Sequence, residues 1–262
     1  MDLTRFLIEH GANPSAQDKC GSTPLHQASR HGHVDLARFL VEHGADVTAQ
    51  DKFWSTPLHH VSRSSRGSVD LAQFLVEHGA DIIAQNKHGS TPLHQASIGG
   101  NADMVRFFVG HCADTAAQDN YGSTPLHRAS RSRRGNADLV LFLLEHGADA
   151  TARDKIGSTP LHGASLNGRI GLAQLLVKHN ADVTAQDDGG STPLHCVSRS
   201  RRGDVDLARF LVEHGGDSTS KDKHGLTALD QATLKGHVEL VQFLAEHSAR
   251  ATVRPLPQIQ QP

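Results

Sequence analysis

The chain has 262 residues, 37 % hydrophobic and only 4 % aromatic, and its 26 basic and 28 acidic side chains leave a formal charge of −2. That near balance supplies no global field to draw it to nucleic acid or to a membrane surface. The longest apolar run, Leu139 to Leu144, falls far short of the ~20 residues a membrane span needs, and the charged opening "MDLTRFLIEH" does not read as a secretory signal. Cys20, Cys112 and Cys196, odd in number and far apart in sequence, fit no disulfide framework. The expected home is a reducing compartment, cytoplasm or nucleus.

In chain order, residues 1–17 read as the second half of a unit whose full form then recurs. Thr23, Thr56, Thr91, Thr124, Thr159, Thr192 and Thr227 mark seven copies, spaced alternately by 33 and 35 residues, and self-similarity at that period is the signature of a repeat array. The expected copies are 18–50, 51–85, 86–118, 119–153, 154–186, 187–221 and 222–254, with residues 255–262 a disordered tail.

The first full copy shows the local signals. In "STPLHQASRHG", Thr23 is placed to cap a helix and Pro24 to fill its first position, where the missing N–H is no loss. Gly32 ends that helix, and "HVDLARFLVEHG" starts a second, with Val34, Leu36, Ala37, Phe39 and Leu40 on its apolar face and Gly44 as a left-handed stop. The segment that follows ends in a Lys-x-Gly turn, which suits a tight hairpin whose glycine takes a positive φ. Helices of roughly 8 to 11 residues do not persist alone in water. Each copy must bury its stripe on the next, so the expected fold class is an all-α repeat solenoid.

The phrases "DKxGSTPLHxAS" and "GHVDLARFLVEHGADVTAQ" carry a family resemblance: over about residues 1–254 the chain resembles the ankyrin repeat. The resemblance implies paired antiparallel helices with short β-hairpin fingers. It also implies a non-catalytic scaffold that binds a protein or peptide along its fingers and the outward side of its first helices. The last copy reads "TALD" (Thr227 to Asp230) in place of Thr-Pro-Leu-His, which resembles a C-terminal capping repeat. The half unit at the start fits either a longer parent array or a frayed cap.

The second copy departs at its finger. Trp54, the only tryptophan, stands where its siblings have Gly21, Gly89, Gly122, Gly157, Gly190 and Gly225. If that position requires φ > 0, a tryptophan there costs about 1–2 kcal/mol or forces another turn. It is either a contact anchor, since exposed aromatics dominate interface hot spots, or drift or local packing, with the ring folded back over Lys52 or an adjacent finger, as glycine also drifts to Cys112, Asn180 and Ser248 at second-helix stops. The expected partner-binding residues are Phe53, Trp54, His88, Tyr121 and Ile156 on the fingers. On the first helices they are Arg30, His31, His60, Arg63, Ile98, Arg128, Arg131, Leu166 and Arg199.

Alternate copies carry two extra residues in a basic inter-helix turn, bringing in Arg63 and Arg66, then Arg131, Arg133 and Arg134, then Arg199, Arg201 and Arg202. Arginine's planar fork suits carboxylate and phosphate, so the competing expectation is an anion-binding module for an acidic or phosphorylated protein or nucleic acid. The 20 histidines invite a metal or catalytic reading. Fourteen of them recur once per layer, in Thr-Pro-Leu-His or at second-helix ends, and layers about 10 Å apart cannot share a zinc ion. No catalytic residue, metal or cofactor is expected, and the expected partner is a protein or peptide bound by a monomer, with no membrane role and nucleic acid only within that competing expectation.

Overall fold

The structure of the protein, a computed structural model, describes residues 3–64, 67–132 and 135–252. The expected tail at 255–262 lies outside them, as do Arg66, Arg133 and Arg134. Contacts divide the chain into two compact units, Met1–Lys155 and Ile156–Pro262. In the first, α1 (Leu3–Glu9) precedes four helix pairs: α2 (Pro24–His31) with α3 (Val34–Glu42), α4 (Pro57–Arg63) with α5 (Val69–Glu77), α6 (Pro92–Gly99) with α7 (Ala102–Gly110), and α8 (Pro125–Ser130) with α9 (Ala137–Glu145). The second holds three pairs: α10 (Pro160–Leu166) with α11 (Ile170–Lys178), α12 (Pro193–Arg199) with α13 (Val205–Glu213), and α14 (Ala228–Lys235) with α15 (Val238–Thr252).

Within each unit first helices pack on first helices, α2 on α4 on α6 on α8 and α10 on α12 on α14, and second helices do the same. The leucine of Thr-Pro-Leu-His is the recurring plug of the first layer: Leu25, Leu58, Leu93 and Leu126, then Leu161 and Leu194, are all buried. Each contributes at most about 1.5–3 kcal/mol on burial, counted against an extended chain. Leu40, Leu75, Phe108 and Leu143 fill the second layer.

The threonine and proline act as the sequence suggests, and the histidine takes a role the sequence does not name. Thr56 caps α4 and its N–H donates to His59 Nδ1 at 3.2 Å, so histidine takes the place that Glu or Gln holds in a capping box. The far nitrogen of the same ring, Nε2, meets the Ser90 carbonyl of the next copy at 2.9 Å. A carbonyl only accepts, so Nε2 carries the proton and Nδ1 is the bare acceptor. His26 on Ser55 and His94 on Ser123 repeat the bond in the first unit, as do His162 on Ser191 and His195 on Leu226 in the second. The second-helix histidines work differently: His43 donates Nδ1–H to the Phe39 carbonyl at 2.8 Å and its ring lies 4.0 Å from the Phe39 ring.

The fingers correct one expectation, because no strand forms among the described residues and the β-hairpins reduce to turns. Each turn is closed from within, as by Trp54 N–H to Asp51 carbonyl at 2.8 Å and Asp51 N–H to Ser55 carbonyl at 3.1 Å. One backbone bond ties it to its neighbour, Lys52 N–H to Cys20 carbonyl at 2.9 Å. A single bond per neighbour is too few to make a ladder.

Candidate partner-binding surface

Trp54 does adopt the glycine conformation, with φ 58°. Space makes this position harder to occupy than the φ alone suggests. A Cβ placed on Gly21 would lie 3.0 Å from the Lys52 backbone nitrogen, and one on Gly89 would lie 2.8 Å from that of Asn120. At those two glycines the next finger's backbone is the wall. For Trp54 that neighbour is Lys87, whose N–H bonds the Phe53 carbonyl at 2.9 Å and whose ammonium stands 5.8 Å from the indole centroid. The indole remains 54 % exposed, so the lysine leaves most of its surface available for contact.

Phe53, 59 % exposed, forms one wall of a cleft of about 610 Å³ in the first unit, with Arg30 at the end of α2, His60 and Arg63 on α4, and His88 on the following finger. The cleft's one carboxylate, Asp51, is occupied. Its Oδ1 accepts the N–H groups of Phe53 at 2.8 Å and Ser55 at 2.9 Å, and its Oδ2 meets His60 Nε2 at 3.0 Å. Burial pushes the Asp51 carboxyl up, but the hydrogen bonds from His60, Ser55 and Phe53 outweigh it and hold the group below its usual range. His59, at the cleft's inner side, is pushed down to about 4 by burial, against its bond to Ser90, and is neutral at pH 7.

The remaining predicted residues fall into different settings. In the first unit, Arg128 is engaged: Nε donates to Asp119 at 2.8 Å and a terminal nitrogen makes a second bond to the same carboxylate, with the Tyr121 ring 5.7 Å from the guanidinium carbon. Arg131 donates to Asp154 at 2.8 Å. Tyr121 is exposed and its ring lies 6.2 Å from His88, so these two finger residues do meet. His31 is exposed beside His33, and Ile98 is half-buried with its carbonyl accepting from Ser132 Oγ. In the second unit, Ile156 and Leu166 are exposed, Arg199 points a terminal nitrogen at Cys196 Sγ at 3.5 Å, and Arg201 and Arg202 are exposed.

The cleft thus brings together Arg30, Phe53, His60, Arg63 and His88 from the predicted set. Sequence reasoning missed Asp51, Asn86 and Gln95, which line it too; the contact of Trp54 with an adjacent finger was one of its alternatives, and Lys87 supplies it. The signal was available as a fixed offset. The residue nine places after the finger's first acid meets that acid: His60 for Asp51, Arg128 for Asp119, Gln231 for Asp222.

Stacked helix pairs joined by turns, clamped layer to layer by the histidine of Thr-Pro-Leu-His, define a repeat solenoid. The family model for ankyrin repeats (three copies) matches residues 1–86, 58–154, 132–187 and 161–254, and the chain belongs to the ankyrin repeat family. No curated protein matches it. Ankyrin repeats generally mediate protein–protein interaction, and proteins of this kind are typically non-enzymatic scaffolds. Among the described residues no helix is long and apolar enough to cross a membrane.

Proposed function

We propose that the chain is a protein-binding scaffold whose first unit takes a protein or peptide partner across its finger tips and the adjoining ends of its first helices. The observation that carries this reading is Trp54. A tryptophan with φ 58°, still 54 % exposed, bears a torsional cost and is covered in the free chain only in part, by Lys87. Local strain retained at a surface residue points to a role for that residue. An indole of this kind gains by burial in a partner, where aromatic anchors contribute most. Phe53 and Tyr121 extend the same exposed aromatic edge.

The test is quantitative capture from a native lysate by wild type and by Trp54→Gly at matched protein level. Glycine restores the sibling turn, so stability is kept or raised. Selective loss of one set of captured proteins is expected. If every captured protein stays with the variant, the anchor role falls.

A further inference from the structure

The cleft beside Phe53 is specific in its chemistry, and a comparison of equivalent positions shows why. Arg63 and Arg131 are the same residue of the duplicated pair, 68 residues apart, and Asn86 and Asp154 are likewise equivalent. Asp154 latches Arg131 at 2.8 Å. At the equivalent place in the cleft stands an amide, Asn86, whose Oδ1 accepts the N–H groups of His88 at 2.9 Å and Ser90 at 3.2 Å, as an aspartate's would. The amide therefore keeps the turn but supplies no charge for Arg63. Arg63 and Arg30 are exposed on the cleft rim and form no ion pair among the described residues, while Asp51 is taken up by His60 and its own turn.

We propose that this cleft binds an acidic side chain and its apolar neighbour from a partner peptide, with Arg30 and Arg63 taking the carboxylate and Phe53 the apolar group. The inference rests on the scaffold reading above and names the partner's chemistry. Two free guanidiniums suit one carboxylate or a close pair, bound by charge-assisted hydrogen bonds. An exposed phenyl ring in the same cleft gives that carboxylate an apolar companion. A nucleic-acid backbone is matched instead by an extended basic track with many phosphate contacts.

The experiment is an array of immobilised eight-residue peptides with a central Glu-Leu, Gln-Leu or phosphoserine-Leu in randomised flanks. It is probed with the purified full chain as wild type, Arg30→Gln, Arg63→Gln, Asn86→Asp and Phe53→Ala. Wild type is expected to retain Glu-Leu peptides about tenfold better than Gln-Leu peptides. Arg30→Gln and Arg63→Gln should each remove most of that preference. Asn86→Asp should remove it as well while deleting no contact residue, because the new carboxylate latches Arg63 as Asp154 latches Arg131. Phe53→Ala should lower retention of both Glu-Leu and Gln-Leu peptides about fivefold. Equal retention of Glu-Leu and Gln-Leu by wild type, or a preference that survives all three polar variants, overturns the proposal. A tenfold preference for phosphoserine over Glu overturns it in favour of a phosphorylated partner. In either case a Trp54→Gly loss in the lysate capture leaves the scaffold reading standing, so the two failures are distinguishable.

Discussion

Two sets of left-handed positions run through this molecule, and they tolerate change differently. At the second-helix stop, Gly44 and Gly79 have φ 87° and 95°, and a Cβ there would meet nothing within 4 Å. Cys112 and Asn180 occupy equivalent stops with φ 64° and 66°. At the finger, the φ is similar but the next finger's backbone fills the space, as at Gly21 and Gly89. Drift at the helix stop therefore says little about Trp54. A stop residue bears only the torsional cost, whereas a finger residue bears that cost and a steric one.

The largest expected effect breaks or upholds that contrast directly. Gly89→Ala, with its Cβ 2.8 Å from the Asn120 nitrogen, should lose about 3 kcal/mol from torsion and overpacking together. Gly44→Ala should lose about 1 kcal/mol from torsion alone. Urea midpoints of the two variants against wild type decide it: if Gly89→Ala is no worse than Gly44→Ala, the fingers are not the tighter site.

The second prediction extends the contrast to the histidines that hold the fingers. His59 is buried, neutral and bonded through Nε2 to Ser90 of the next finger, and burial pushes its pKa down to about 4. Because the folded value lies below the unfolded ~6.5, the unfolded chain binds more protons in between, and stability falls as pH falls through that window. His59 alone should cost about 2 kcal/mol by pH 5. Burial also lowers His26, His94 and His195, so the total exceeds this. Melting temperatures at pH 7.5, 6.5 and 5.5 should decline progressively, and His59→Ala should reduce the decline by its share. A flat profile in wild type would show that the clamps accept protons at no cost.

How far the sequence leads is visible in these same residues. The cap at Thr56, the proline after it, the helix stops and the period were all readable, because each is a local rule written within a dozen residues. Neither bond of His59 was read: the inward one to Thr56 lies within three residues, but nothing marked histidine as a capping partner. The outward one has its acceptor, a carbonyl, 31 residues on. The β-hairpin fingers were over-read from their turn chemistry: a Lys-x-Gly turn specifies a reversal, and strands need more than the one inter-finger bond available. The cleft was half legible. Arg30, His60 and Arg63 were picked as outward-facing, but whether an arginine is free or latched depends on Asn86 versus Asp154, 23 residues further along, once the register is known.

A third, smaller effect tests that register. Asp154→Asn should remove the charged partner of Arg131 at the fourth layer of the first unit, leaving its contact with Ser123 Oγ. Arg131 is part-buried, and loss of its charged partner should lower stability by about 1 kcal/mol. Paired with Asn86→Asp, it exchanges the two settings: one arginine loses its carboxylate, one gains one. Denaturation of each single variant and of the double variant should be additive if the two layers act independently.

The smallest effect is the most telling for function. Trp54→Gly relieves the torsional cost of about 1–2 kcal/mol. It loses a cation–π contact of about 0.5–1 kcal/mol and gives the unfolded chain more freedom, about 0.4–1 kcal/mol. The balance is a gain of no more than about 1 kcal/mol. Cys112→Gly relieves the same torsion against the same entropy but loses no cation–π contact, so its gain should be slightly larger. A Trp54→Gly chain that is as stable as wild type or more so, yet loses a captured partner, separates the roles cleanly, because folding then gains by removing the residue and binding does not. A Trp54→Gly chain that is clearly less stable would mean instead that the indole serves packing on the next finger, with Lys87 as its cover.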